Sequence, residues 1–597
     1  MKLDTFINRP VLSTVISIFI VLLGLIGLFS LPVTQFPDIA PPTIRVSTTY
    51  QGANAQAVLN SVIAPLEESI NGAQGMTHME STATNSGSAD ITVYFEQGFN
   101  PDMAAVDVQN RVSKALNLLP AEVTQVGVQT AKRQSSMLLM VSLYDASGNY
   151  SMEFIDNYAK INIIPQLQRV SGVGDVMSFG ADYSMRIWLK PEVMAQYGLM
   201  PTDITYALSE QNIEAAPGTF GEQGDQSFQY TMKYKGRLTT PEQFEDIVVA
   251  AKPTGEILRL GDVAEVELGR LTYGFSNSLN GKVATSCIVF QTAGSNATQI
   301  INDCLAVIKD GRVVMFAPPM ISGYSLTNGF EIKMQDKTGG SVEDFFAVVQ
   351  GFLAQLNQQP EVQVAMTTFN PTFPQYLVDI DAAKAKQAGL SPRDILTTLQ
   401  GYYGGMYVSN FNRFGKIYRV MMQASPEARV SPETLASIKV RNGGEMASLS
   451  NFVTMQKVYG PDLLNRFNMF QSISVNGNPA PGYTSGDCLA AITRVAQETL
   501  PPGYGYEYSG MTREEASSGA GSTTAVIFGL CLLFVYLLLS AQYESYILPM
   551  SVILSIPFGL MGTFIFAQIF GVSNNIYLQI ALIMLIGLLA KNAILIV

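Results

Sequence analysis

Four apolar runs set the frame of the chain. Pro10 to Ser30 is mostly Val, Ile and Leu. About twenty such residues, at about 1.5 Å of helical rise each, match a bilayer core of about 30 Å. The run ends in "SLPVTQFPDIAPP", with no A-x-A-like cleavage site, and reads as a retained span rather than a signal peptide. Three more runs follow near the other end: Thr523 to Ala541, Tyr546 to Phe570, and Ile576 to Val597. The "GVSNN" of Gly571–Asn575 supplies a turn between the last two, and no charged residue falls between Glu544 and Lys591. Lys2 and Arg9 precede the first run and none follows it directly, which puts the N-terminus in the cytoplasm. Leu31 to about Ser522 then lies on the far side of the membrane.

Within that long stretch the pattern switches between two periods. Thr43–Gln51 is rich in Thr, Val and Tyr and reads as extended. Ala53–Asn71 places Val58, Val62, Ile63, Leu66 and Ile70 at helical spacing. Ser88–Glu96 alternates like a strand, Met103–Leu118 is helical again, and Val123–Gln129 reads as extended. Strand, helix, strand, strand, helix, strand is the split βαβ pattern, with one sheet face under two helices.

The stretch also repeats itself. Asp145, Gly148 and Phe154 of "LYDASGNYSMEF" match Asp336, Gly339 and Phe345 of "MQDKTGGSVEDF", each 191 residues on. The same offset joins Gly198, Pro201, Asp203 and Leu208 to Gly389, Pro392, Asp394 and Leu399, and "PEQFEDI" at Pro241 to "PETLASI" at Pro432. One offset held over that length marks a duplication, covering at least about 145–269 and 336–460.

Composition narrows the function classes. Charged residues make up 14% and apolar ones 47%, the balance of a membrane protein with a large water-exposed part. The net charge is -12 with no Lys/Arg-rich run, which argues against a nucleic-acid partner. A single histidine, His78, cannot build a His-rich metal site. The four cysteines, Cys287, Cys304, Cys488 and Cys531, show no C-x-x-C spacing and imply no disulfide framework. No nucleophile elbow, phosphate loop or metal cluster supports an enzyme, and no cofactor is implied; acidic residues such as Asp145 belong to turns.

One charge interrupts the last run. A lysine at membrane depth costs at least about 2.5–3.5 kcal/mol, so Lys591 either snorkels to an interface or faces the bundle interior. Gly587, Ala590 and Ala593 give it a small-residue flank of the kind that packs against another helix, which favours the interior. None of the four runs holds an Asp or Glu to pair with it.

These residues resemble a known superfamily. The segment from Ile7, "INRPVLSTVISIFIVLLGLIGLFSLPVTQFPDIAPP", is similar to the first span and entry of resistance–nodulation–division pumps. "VQNRVSKALNLLPAEV" resembles their pore helix, and "SGVGDVMSFG", "YSGMTREEASSG", "SAQYESYILPMSVILSIPFGLMGTF" and "IGLLAKNAILIV" are similar to further segments, the last to the helix with the relay lysine. The branch resembled is the hydrophobe/amphiphile multidrug-efflux family. The implied fold is an α+β membrane protein, with duplicated split-βαβ (ferredoxin-like) porter subdomains, docking subdomains and α-helical transmembrane segments.

The implied setting is the inner membrane of a Gram-negative bacterium. A homotrimer there, with a periplasmic adaptor protein and an outer-membrane channel, exports small amphiphilic drugs on proton flow. Residue by residue, Lys591 and Asn592 fall on the proton relay. Met137, Phe179 and Thr272 fall on the deep drug pocket, and Phe316 and Pro319 on the entrance pocket. The loop near Ala215–Tyr230 resembles the arm that reaches into a neighbouring subunit.

The resemblance divides the chain. It implies a cytoplasmic N-terminus and first span over 1–30 and porter subdomains over 31–136 and over 137–185 with 274–305. A docking subdomain follows over 186–273. A porter remnant covers 306–329, a further porter subdomain 330–376 with 469–515, a second docking subdomain 377–468, and three spans 523–597, the last cut short. The family has twelve spans. Six of them, including the helix whose aspartates partner the lysine, would fall at a join close to Cys304–Lys309. The expectation is therefore a pump subunit without its middle and its tail, unable to couple to protons alone. The alternative is a non-transporting, membrane-anchored drug-binding or assembly module.

Overall fold

The computed structural model describes residues 41–133, 137–145, 148–220, 228–251, 255–274, 276–279, 281–291, 300, 303–304, 330–443, 445–480, 483, 485–510, 512–513, 516 and 522–553, with scattered positions in 11–19 and 561–588. It divides into two compact units, Met1–Gly323 with Pro374–Gly460, and Tyr324–Phe373 with Pro461–Val597.

The first unit opens with the split βαβ module. Strands Thr43–Thr49, Met76–Thr84, Ser88–Phe95 and Gln129–Lys132 pair antiparallel, with Thr43–Thr49 between Ser88–Phe95 and Gln129–Lys132. Alternation decides which face is covered: Ala89, Ile91, Val93 and Phe95 are buried while the residues between them are not. Helix Pro101–Ala115 starts where Asn100 accepts from the Asp102 and Met103 amides, with Pro101 at the first turn. Its Ala104, Val108, Val112 and Ala115 form the buried stripe. One expected element is different. Residues 123–129 are not extended throughout: Ala121–Val126 is a helical turn, started by Pro120 and ended by Gly127 at φ 88. The strand begins only at Gln129 because Gly127 reverses the chain first.

A second module repeats the plan with a long insertion. Lys282–Gln291 is its central strand, pairing with Met137–Tyr144 on one side and Val173–Ser178 on the other. The helical stretch 152–167, capped by Ser151, covers one face and contains a π-helical turn at Ala159–Ile163. Leu139, Val141, Val176, Cys287 and Val289 meet Ile163 and Leu167 there. The insert leaves between strands two and three, as Tyr183–Leu189, and returns as Ala264–Arg270, antiparallel to it.

The duplicate insert, Phe373–Ile380 to Val453–Gly460, reproduces this element by element. Helix Pro191–Gln196 corresponds to Ala382–Gln387, helix Pro201–Gln211 to Pro392–Leu399, and strand Val248–Ala251 to Lys439–Asn442, each close to 191 residues on. The two inserts share one core, in which Met185, Ile187 and Leu189 pack with Tyr402, Phe411 and Val420. In the hairpin Met406–Arg413/Lys416–Ala424 of the second insert, strand Lys416–Ala424 pairs parallel with Tyr183–Leu189 of the first.

The second unit holds the third module. Phe330–Asp336 lies between Phe470–Pro479 and Tyr504–Tyr508, and Val362–Met366 pairs with Phe470–Pro479. Phe345, Val349, Phe352 and Leu356 of helix Val342–Leu356 are buried at spacings of four, three and four. Each such side chain contributes about 1.5–3 kcal/mol of burial. Helix Ser522–Tyr543 follows, with Leu530, Leu533, Phe534, Leu537 and Leu538 exposed.

The α+β class is thus as expected. Among the described residues, no helix is long and apolar enough to cross a membrane. Pro10–Ser30, Tyr546–Phe570 and Ile576–Val597 lie largely outside the described residues. Cys287, Cys304 and Cys488 are buried free thiols. His78 is packed, stacked on Tyr94 with ring centroids 4.2 Å apart.

Candidate functional site

Among the described residues, no helix of the second module packs on one face of its sheet, and the register shows which side chains that face carries. Ile288, in the central strand, is aligned with Met140 on one neighbour and Met177 on the other. All three are half-buried. Ser286 is opposite Ser142, their hydroxyls 2.8 Å apart. Alternation puts Ser142, Ser286, Phe290 and this Met140–Ile288–Met177 row on one face, opposite the helix-packed Val141, Cys287 and Val289.

Arginines from the first module border the row. The Arg133 guanidinium sits 3.8 Å from the centre of the Phe290 ring, and an Arg45 N–H reaches the Met177 sulfur at 3.8 Å. Burial, then the neighbouring Arg45 charge, lowers the Arg133 pKa. Arg45 is itself tied to Asp90. Methionine is flexible and polarisable, so a Met–Ile–Met row accepts apolar groups of varied shape. The cationic rim suits amphiphiles that carry an acceptor or an aromatic ring.

The residues singled out from sequence distribute as follows. Phe179 directly follows strand Val173–Ser178, half-buried, its amide donating to the Ser286 carbonyl at 2.9 Å. Met137 opens the first strand and is paired in register with Phe290. The two therefore belong to one sheet but lie at different points along the central strand, Phe179 beside Ser286 and Met137 beside Phe290. Thr272 is exposed beyond strand Ala264–Arg270, where its hydroxyl accepts from the Gly274 amide at 3.3 Å. Phe316, Pro319, Lys591 and Asn592 lie outside the described residues. Met140, Met177 and Ile288 went unnoticed in the sequence. Their signal is present in alternation, but only cross-strand register brings them together.

The helix side of the same module holds a polar cavity of about 320 Å³, with Gln129, Asp156, Lys160, Ser178, Gly180 and Asp182 in its wall. The Asp156 carboxylate is almost wholly buried, 3.2 Å from the Arg270 guanidinium and 3.0 Å from the Ala181 amide. Asp145 is a turn residue, as expected, accepting from the Asn149 and Tyr150 amides.

A family model described as the AcrB/AcrD/AcrF family matches the chain over residues 2–309 and again over 301–597. The two matches meet at 301–309, where the sequence places the join. The chain is 24% identical over 944 residues to a multidrug/solvent efflux pump membrane transporter, MepB, of Pseudomonas putida, covering 99% of this chain and 90% of that protein. It is 22% identical over 945 residues to the multidrug export protein AcrF of Escherichia coli (strain K12), covering 99% and 91%. Alignments of that length on a chain of 597 residues leave many positions of these relatives, within the aligned span, without a counterpart here.

Proposed function

The chain belongs to the AcrB/AcrD/AcrF family of resistance–nodulation–division efflux transporters, and on that premise we propose that it is an inner-membrane subunit of a tripartite multidrug efflux assembly. Its part is to bind amphiphilic drugs on the far side of the membrane. The Met140–Ile288–Met177 row carries this reading: a half-buried, adaptable apolar face with a cationic rim, on the sheet to which Phe179 and Met137 also belong.

The duplication supports assembly into a homotrimer. Strand Tyr183–Leu189 accepts hairpin 406–424 on its free edge, whereas its duplicate Phe373–Ile380 pairs, among the described residues, with Val453–Gly460 alone. The duplicate of that hairpin is the segment around Thr219–Phe220 and Tyr230–Thr231, where Phe228 and Tyr230 are largely exposed. A hairpin of one copy fits the open edge of the next, a head-to-tail contact that closes a ring. Adaptor and channel partners follow from the family reading.

Proton coupling is a separate matter. Lys591 is proposed as half of a relay whose carboxylates lie in spans this chain lacks, since no Asp or Glu lies in its four apolar runs. The chain therefore binds but does not pump alone. The test is reconstitution in proteoliposomes with rhodamine 6G. Dye binding without uptake against an imposed proton gradient is expected; gradient-driven accumulation refutes the uncoupled reading, and absence of binding refutes the site.

A further inference from the structure

Helix 152–167 forms the back of the sheet that carries the Met140–Ile288–Met177 row; its Ile163 and Leu167 pack into the core there, while Asp156 and Lys160 line the 320 Å³ cavity. Asp156, Asn157 and Lys160 reach from this helix toward the inserts. Asp156 accepts from the Ala181 amide, two residues before the strand that leaves the module, and pairs with Arg270, the last residue of the strand that returns. Side chains of Asp156 and Arg270 are 2% and 8% exposed. One turn on, Lys160 is ion-paired with Asp182. Asn157 accepts from the Tyr418 hydroxyl at 2.7 Å, and the Lys160 carbonyl accepts from the Lys416 ammonium at 2.7 Å, both from the hairpin of the second insert. The Leu271 amide ties the two crossing strands together through the Asp182 carbonyl at 2.8 Å.

The second half of the chain is an internal control. The positions 191 residues beyond Asp156, Asn157, Lys160, Asp182 and Arg270 are Ala347, Val348, Gly351, Phe373 and Pro461. Every polar group of the set is gone. At that second junction the module and its insert fall into separate compact units, divided at Phe373/Pro374 and Gly460/Pro461, whereas the first module pair and its insert form one.

We propose that Asp156 is a positioning residue that clamps helix 152–167 to both strands crossing into the first insert, so that the loop carrying Phe179 and the insert move as one body. The clamp needs Gly180 as well. A Cβ there would lie 2.5 Å from the Asp156 Oδ1 and 2.6 Å from the Thr285 hydroxyl, so any side chain displaces the carboxylate. The importance of that loop to transport rests on the pump reading above; the clamp itself does not.

Hydrogen exchange of the full chain in detergent micelles tests it without any transport readout. Asp156→Ala is expected to raise exchange by about tenfold or more in peptides spanning 179–183 and 269–273, leaving 345–356 and 472–479 unchanged. Arg270→Met should loosen 269–273 more than 179–183, because the Ala181 bond survives. Gly180→Ala, which leaves both charges in place, should reproduce the Asp156→Ala pattern. Unchanged exchange at both crossings in Asp156→Ala overturns the proposal. So does a uniform rise across the whole second module, which marks an ordinary core residue. Should Asp156→Ala fail to fold, Gly180→Ala decides by the same two criteria.

Discussion

Removing one member of the Asp156–Arg270 pair should cost far more than removing both. Each side chain is more than nine-tenths buried and their charged atoms are 3.2 Å apart. Arg270→Met leaves the Asp156 carboxylate with the Ala181 amide but without its counter-charge, a change that costs about 3–5 kcal/mol in buried settings. Asp156→Leu takes the buried carboxylate away from the guanidinium and should also be destabilising. The double variant leaves no buried charge; it loses the Ala181 hydrogen bond, about 1 kcal/mol, and little else. Coupling in the cycle should therefore exceed about 2 kcal/mol. Trp188 is the only tryptophan, lies in strand Tyr183–Leu189 just past the clamp, and donates to Glu267 at 2.8 Å. Its emission under urea reports unfolding of the insert. With slopes of about 1–3 kcal/mol per M, the single variants should move the midpoint by about 1 M or more, and the double by much less. Single-variant losses that simply add in the double would refute the reasoning.

Other outcomes follow from the same structure. Burial, before any neighbouring charge, pushes the Cys287 thiol up to about 12 and those of Cys304 and Cys488 up to about 11, from an ordinary 9.0. Alkylation by iodoacetamide at pH 9 should be about a hundredfold slower in the folded chain than in urea. Because these folded values lie above the unfolded one, their contribution to stability is complete below pH 9 and is lost as the pH rises toward 12, and Cys287→Ala should flatten that loss in urea titrations. Asn100→Ala removes the acceptor for two amides and should cost about 1 kcal/mol, read as faster exchange in the first turn of helix Pro101–Ala115. Replacing residues 219–231 with a Gly-Gly link should abolish trimers in native mass spectrometry without unfolding the insert, and persistence of the trimer would refute the arm reading.

What the sequence made legible was what local period and internal comparison control. The 191-residue offset found from a few glycines and prolines reappears as matching helices at Pro191–Gln196 and Ala382–Gln387. Alternation at Ser88–Phe95 and the apolar stripe of helix Pro101–Ala115 were equally plain. The helical turn Ala121–Val126 was not, because a six-residue helix set by Pro120 and Gly127 is too short for its period to show. The candidate face escaped for another reason. Met140 and Met177 are separated by the helical stretch 152–167, and both from Ile288 by the whole first insert; they become neighbours only through strand register. Asp156 escaped too, since its partners Ala181 and Arg270 flank that insert. Phe179 and Met137 came from resemblance alone, and the structure places their backbones at different points of one sheet.

The proposed function places amphiphile binding on the Met140–Ile288–Met177 face of the second module. Fluorescence polarisation of rhodamine 6G with the full chain in detergent, comparing the native protein with Ile288→Glu and Met177→Glu, tests it most directly. A buried carboxylate in the middle of the row should weaken binding by about tenfold or more, while Glu at the exposed Ile257 should change nothing. Undiminished affinity in folded Ile288→Glu and Met177→Glu proteins would contradict the account.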